Sequence, residues 1–182
     1  MQAANSKLDL CDPISPADHV LGPENAPVFI VEYGDFECPT CKSANPVVKL
    51  LLRRFENHVR FAYRHFPLEA IHPHARLAAE AAECAGRQGK FWEMHDLLFA
   101  NQPNLAPEHM RAYAKQLDLD TGHFESDLDG HVFRARVQAD IDSGERSNLR
   151  ATPGFFINGR VQDVSFSLHA LLDATEATLR LG

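Results

Sequence analysis

The chain has 182 residues, 45% of them hydrophobic and 24% charged, with a formal net charge of −7. A chain of that size buries a core without metal or disulfide staples, and its acidic balance excludes nucleic acid as a standing partner, because phosphate binding needs a basic face. Its four cysteines are too few for a disulfide scaffold, and no apolar run approaches the roughly 18 residues of a membrane span, so no membrane insertion is expected.

Residues 1–27 contain Pro13, Pro16, Gly22, Pro23 and Pro27 without a sustained period, and they are predicted to form an arm and loop. Met1 to Leu10 show no basic start followed by an apolar run, so no secretory signal is expected there. Unpaired thiols at Cys11 and Cys84 fit a reducing cytoplasm better than an oxidising compartment. Residues 28–67 read as a βαβ unit with a right-handed crossover. Its first strand is the β-branched and aromatic run 28–33, ending at Gly34. A helix over 39–57 follows, with Val47, Val48, Leu51, Leu52 and Phe55 at helical spacing and a kink expected at Pro46. The second strand covers 59–66 and stops at Pro67.

Residues 68–148 form a helical block. Helices are expected over 73–85, with Pro73 at the first helical position, and over 91–100, 107–117, 121–128 and 131–144. Residues 149–182 return to strands, at 154–157 and 161–164, joined by the Asn158-Gly159 hairpin signal. A last helix starts at a Ser167 cap and buries Leu168, Leu171, Leu172, Ala174 and Leu179. The order βαβ, helical block, ββα predicts one α/β unit with a mixed sheet and an inserted helical subdomain.

Cys38-Pro39-Thr40-Cys41 lies where the first strand gives way to the first helix. A helical start holds the two sulfurs close enough to bond, with Cα atoms about 5–6 Å apart. It also aims the free N–H groups of the first turn at Cys38, which favours thiolate over thiol. Pro39 suits that turn because no N–H is needed there. The competing reading is half of a zinc site, which wants four ligands. The chain has neither a second C-x-x-C nor a matched histidine pair, since His72 and His74 stand only two apart. No metal is expected.

Three further features bear on the pair. Glu32 is an acid inside an apolar strand ahead of Cys38; it is read as the proton acceptor for Cys41, against a solvent-facing alternative. Thr152-Pro153 precedes the strand at 154–157, where a proline needs a special position. A cis bond would leave the Thr152 backbone free to pair with substrate, but only about 5–6% of X–Pro bonds are cis, so position alone leaves the trans reading ahead. Phe36 and the Phe155-Phe156 pair are candidates for an exposed groove, with core as the second reading for Phe156. The histidines are read as structural, with His65 the one to watch. Cys84 reads as a small buried apolar residue and Cys11 as a bystander thiol.

Phe36-Glu37-Cys38-Pro39-Thr40-Cys41-Lys42, with residues 151–159 far downstream, resembles the bacterial DsbA-like branch of the thioredoxin superfamily. Residues 18–22, 72–73 and 89–95 extend the likeness. The resemblance implies a thioredoxin fold with an inserted helical subdomain. It implies that Cys38 is the attacking thiol, Cys41 the resolving one, Glu32 the buried acid and Pro153 a cis-proline, with Thr152, Phe36, Pro39 and Thr40 along the substrate groove. It also implies exchange with protein or small-molecule thiols and disulfides. No cofactor is expected beyond the Cys38–Cys41 couple, with glutathione as a possible co-substrate. Thr40 stands where strongly oxidising members carry histidine, so a less depressed Cys38 and a less oxidising pair are expected. The alternatives are an exported oxidase whose signal has been removed, and a non-enzymatic holdase with a redox or zinc switch.

Overall fold

The computed structural model describes residues 9–165 and 167–181. The first eight residues of the expected arm, and Gly182 of the C-terminal segment, lie outside the described residues. The β-branched run Val28–Gly34 forms β2, and Val59–His65 forms β3 beside it in parallel. Both are buried on their two faces, as near-continuous apolar runs in a parallel pair should be. Gly154–Ile157 (β4) pairs antiparallel with β2, and Arg160–Gln162 (β5) pairs with β4. Asn158 and Gly159 make the hairpin turn, both at positive φ (45° and 77°), as a two-residue loop of the primed type requires.

The expected arm is corrected in one respect: His19–Leu21 is a strand, β1, antiparallel to β3 at the edge of the sheet. Three residues between Pro16 and Pro23 carry too little periodicity to declare a strand, and only the free edge of β3 makes them one. The sheet order is β1-β3-β2-β4-β5.

Helix α1 (Pro39–Arg54) joins β2 to β3 and runs on through Pro46. After β3 come α2 (Ala75–Arg87), α3 (Phe91–Ala100), α4 (Pro107–Gln116), α5 (Thr121–Asp129) and α6 (Arg134–Arg146). Helix α2 starts at Ala75, so Pro73 stands in the preceding turn and not at the first helical position. The chain ends in α7 (Ala170–Leu181). The larger core joins one sheet face, through Val28, Ile30, Phe61 and Tyr63, to α1, α7 and the helices after β3. The smaller one, on the other face, contains Val31, Tyr33, Ala62, Phe66 and Phe156, with Leu10, Ile14 and Ile141 against them. Helix α6 therefore belongs to the sheet as well as to the helical block.

Arg64 ties the N-terminal segment to this second face. It donates to both carboxylate oxygens of Asp18 (2.7 and 2.9 Å), to the carbonyls of Asp12 and Pro13, and to the Tyr33 hydroxyl (2.9 Å). Burial opposes the charge on Asp18, but the Arg64 bonds hold its carboxyl below the usual range. Removing one partner of a buried pair strands the other charge. Arg64→Ala should therefore destabilise the fold by about 3–5 kcal/mol in urea unfolding, and a midpoint equal to that of the wild type would contradict this role.

Candidate active site

Cys38 is the N-cap of α1, in extended backbone (φ −75°, ψ 121°), with Pro39 opening the helix. No side chain caps this end, so the first-turn N–H groups stay available to the Cys38 sulfur. Cys41 follows one turn on. Both thiols are free and buried, at 6% exposure for Cys38 and 0% for Cys41. Pro39 and Thr40 between them are exposed, so the motif reaches solvent through its middle residues. From the far end of the chain the loop before β4 meets the pair. The Thr152–Pro153 bond is cis, and the Thr152 carbonyl accepts from Cys38 Sγ at 3.4 Å. The Thr152 hydroxyl is buried beside the Cys38 sulfur and favours its thiolate.

The surroundings split the two sulfurs. The neighbouring Cys41 thiol, assisted by the Thr152 side chain and the backbone N–H groups of Cys41 and Thr40, outweighs burial and lowers Cys38 to about 5. Burial, then the hydrogen bond to Cys38 and the Glu32 charge, push Cys41 far up. A thiolate therefore forms at Cys38 while Cys41 keeps its proton. Glu32 lies on the sheet face of Val28 and Ile30, the cysteine face, and is 2% exposed, which removes the solvent-facing alternative. Burial first, then the negative Cys38, raise it to about 8.

Other residues hold this geometry, and sequence reasoning missed them. The Asp35 N–H points at Cys41 Sγ (3.5 Å), and its carbonyl accepts from the Cys38 N–H. The Asp35 carboxylate takes the Glu37 and Leu68 N–H groups and the His72 Nδ1 at 2.7–2.8 Å, so the motif loop is bound to the loop after β3. Gln102, beyond α3, donates from Nε2 to the carbonyls of both Phe36 and Cys38 at 2.8 Å. A polar residue far away in sequence gives no local sign of such contacts.

Some expectations need correction. Phe36 does not line an exposed groove: it is 1% exposed and packs against Tyr63, His65, His95 and Phe99. Phe155 and Phe156 are also buried, one in each core. The aromatic ring at 36 is drawn inward because α3 offers it an apolar seat, whereas the motif's own exposed face is Pro39-Thr40. His65 is buried, with Nε2 2.9 Å from Glu83, which also takes His19 at 3.0 Å. Cys84 is buried, and burial followed by the Asp127 and Glu80 charges raises it to about 12. Cys11 is exposed and gives its thiol hydrogen to the Arg146 carbonyl. Among the described residues no three His, Cys, Asp or Glu side chains are grouped to hold a metal, and no helix is long and apolar enough to cross a membrane.

This architecture and site define the class of thioredoxin-fold thiol–disulfide oxidoreductases. The chain belongs to the thioredoxin family, whose model matches residues 15–176, and its structural likenesses are DsbA-like. It is similar to oxidised BdbD from Bacillus subtilis, with a TM-score of 0.82 and 27% identity, covering 90% of this chain and 94% of that one. It is also similar to a thioredoxin-like oxidoreductase from Silicibacter pomeroyi DSS-3, with a TM-score of 0.80 and 25% identity over 91% of this chain and 94% of the other. In sequence it is 49% identical over 165 residues, 90% of its length, to the Na(+)/H(+) antiporter NhaA 1 of Salinispora arenicola. The chain spans about a quarter (25%) of the length of that relative.

The lowered Cys38 sets two pH trends. Alkylation of the reduced protein at Cys38 by iodoacetamide should rise through about pH 5 and level off above it. A depressed folded-state value stabilises the fold at high pH, and this contribution is lost as pH falls from about 9 through about 5. The stability advantage of the reduced protein over its Cys38→Ser variant should shrink over that window; an advantage constant from pH 9 to 4 would contradict the assignment.

Proposed function

We propose that this protein exchanges dithiols and disulfides through Cys38 and Cys41, acting on protein disulfides or on glutathione-type disulfides. The observation that carries the reading is a pair of free thiols at the start of α1, facing the Thr152 carbonyl and the cis Thr152–Pro153 bond, in surroundings that favour a thiolate at Cys38 and keep the proton on Cys41. The Cys38 thiolate attacks a substrate disulfide, its sulfur bonds to one substrate sulfur, and the other leaves. Cys41 then attacks Cys38, the substrate sulfur departs as thiolate, and the pair is left oxidised. Glu32 is the base beneath Cys41, Thr152 and cis-Pro153 present backbone to an extended substrate, and Pro39 and Thr40 form the exposed contact surface. Phe36 supports this surface from within and does not touch substrate. The reverse sequence oxidises a substrate dithiol, and the compartment's redox poise selects the direction.

The same ionisation supports an intermediate potential. A stabilised thiolate favours the reduced form, and reactive cysteines range from about 7 in thioredoxin to about 3.5 in DsbA. Cys38, at about 5, lies between them. Thr40 supplies no positive charge beside the sulfur, in keeping with a pair less oxidising than DsbA. Cys38→Ser should abolish insulin reduction with glutathione, and Cys41→Ser should accumulate mixed disulfides. Full turnover by Cys38→Ser would overturn the mechanism. Equilibration of the couple with glutathione should give a value between about −270 and −120 mV.

The likeness to a sodium–proton antiporter favours a second reading, in which this redox unit serves a membrane cation–proton exchanger. Sodium–proton exchange in vesicles bearing an antiporter that contains this unit should then respond to the glutathione redox ratio, and the response should vanish with Cys38→Ser. Exchange indifferent to that ratio would overturn the second reading and leave the first intact.

A further inference from the structure

Tyr63 sits on β3 directly across the parallel ladder from Glu32, with its side chain fully buried. Its ring is laid over Gly34, the last residue of β2. A methyl group placed on the Gly34 Cα would fall 2.5 Å from Tyr63 Cε2 and 2.6 Å from the hydroxyl oxygen. Only a residue without a side chain lets the phenol tip reach this spot, and the residue that follows, Asp35, directs its N–H at Cys41 Sγ. The ring is held by a stacked Phe36 at 5.4 Å and by the edge of His95 at 4.7 Å. The hydroxyl therefore cannot swing out to water, and no protein group accepts from it or donates to it. A buried tyrosine O–H normally finds a partner, and leaving one unpaired is costly. A tightly packed orphan donor beneath a reactive pair asks for a partner that appears during the reaction.

The titratable groups around this phenol are Glu32 from β2, Asp35, Cys38 and Cys41 from the motif, His65 on its own strand and His95 from α3. Burial, followed by Cys41, Glu32, Asp35 and Cys38, pushes its ionisation well up. The phenol thus stays protonated and can act only as a donor toward the new charge.

We propose that Tyr63 is the hydrogen-bond donor for the Cys41 sulfur as that sulfur becomes a thiolate in the resolving step. The inference rests on the exchange reaction assigned above. In this step Cys41 gives its proton to the ionised Glu32 carboxylate and its sulfur attacks the Cys38 sulfur of the mixed disulfide. A Cys38–Cys41 bond forms as the bond from Cys38 to the substrate sulfur breaks, and the substrate leaves as thiolate. Tyr63 keeps its proton throughout. Gly34 and Phe36 place the donor, and β3 supplies it.

The test is Tyr63→Phe, which removes one oxygen and leaves the ring packing intact. Reduced wild type and variant are mixed with oxidised glutathione, quenched with acid, and the glutathione adduct at Cys38 is followed by mass spectrometry. In the wild type, resolution should accelerate as pH rises through the Glu32 ionisation, which burial holds above the usual carboxylate range. In Tyr63→Phe, formation of the adduct should be unchanged, while its resolution should slow about tenfold, the worth of a hydrogen bond to a charged group. The rise with pH should keep its midpoint, because Glu32 sets it and Tyr63 acts on the sulfur. Thermal unfolding of the variant should show equal or greater stability, because an unpaired buried hydroxyl has been removed. Resolution at the wild-type rate with the wild-type pH profile would overturn the role of Tyr63 while leaving exchange at Cys38 standing. A slowed resolution accompanied by slowed adduct formation or by lowered stability would assign Tyr63 to packing and also overturn it. Exchange that survives Cys38→Ser would instead overturn the underlying reaction.

Discussion

The free N–H groups at the start of α1 face the Cys38 sulfur, and much of the molecule is organised to keep them there. A helix end without a side-chain cap is a standing demand for negative charge. Here a cysteine occupies the cap position, and its sulfur answers that demand as a thiolate. The arrangement works only if the loop ahead of the helix is fixed, since a shift of an ångström would turn the sulfur away. Asp35 and Gln102 supply that fixity, one by gathering the Leu68 N–H and His72 of the neighbouring loop, the other by gripping the carbonyls of Phe36 and Cys38.

Beneath the pair the chemistry is the opposite. Cys41, Glu32 and Tyr63 lie in a region where charge is expensive, so each keeps its proton to a higher pH than it would in water. A sulfur eager to ionise thus sits at the surface end of the motif and a reluctant one inside. This difference gives the two cysteines distinct roles although they are chemically identical. The β2–β3 register creates it, because it stacks Glu32 against Tyr63 and Gly34 against His65 under the motif. The helical block contributes by closing this region from water, with Phe36 seated among aromatic rings of α3 and the sheet.

The opposite face of the sheet has a structural task. Arg64, Asp18 and Tyr33 join the N-terminal segment to β3 and α6, and β1 lengthens the sheet by one edge strand. The segment reads in sequence as a proline-broken arm, yet it is anchored through ion pairs and carbonyls that no periodicity announces. Phe36 teaches a related lesson. An aromatic residue beside a motif has equal reason to face a substrate or the core, and the choice falls to whatever apolar partners the distant helices bring.

The sequence by itself determined the order of strands and helices from residue 28 onward, because period-two and period-3.6 patterns, turn residues and prolines act locally. It also determined the redox pair, since C-x-x-C at a strand-to-helix junction places both sulfurs and the helix terminus within a few residues of one another. Only the tertiary structure decided which way Glu32 faces, that the Thr152 carbonyl accepts from Cys38, and that Asp35 and Gln102 belong to the site. Each of these depends on residues far apart in the chain meeting in one buried volume, where the loss of water sets the ionisation and the hydrogen-bond partners.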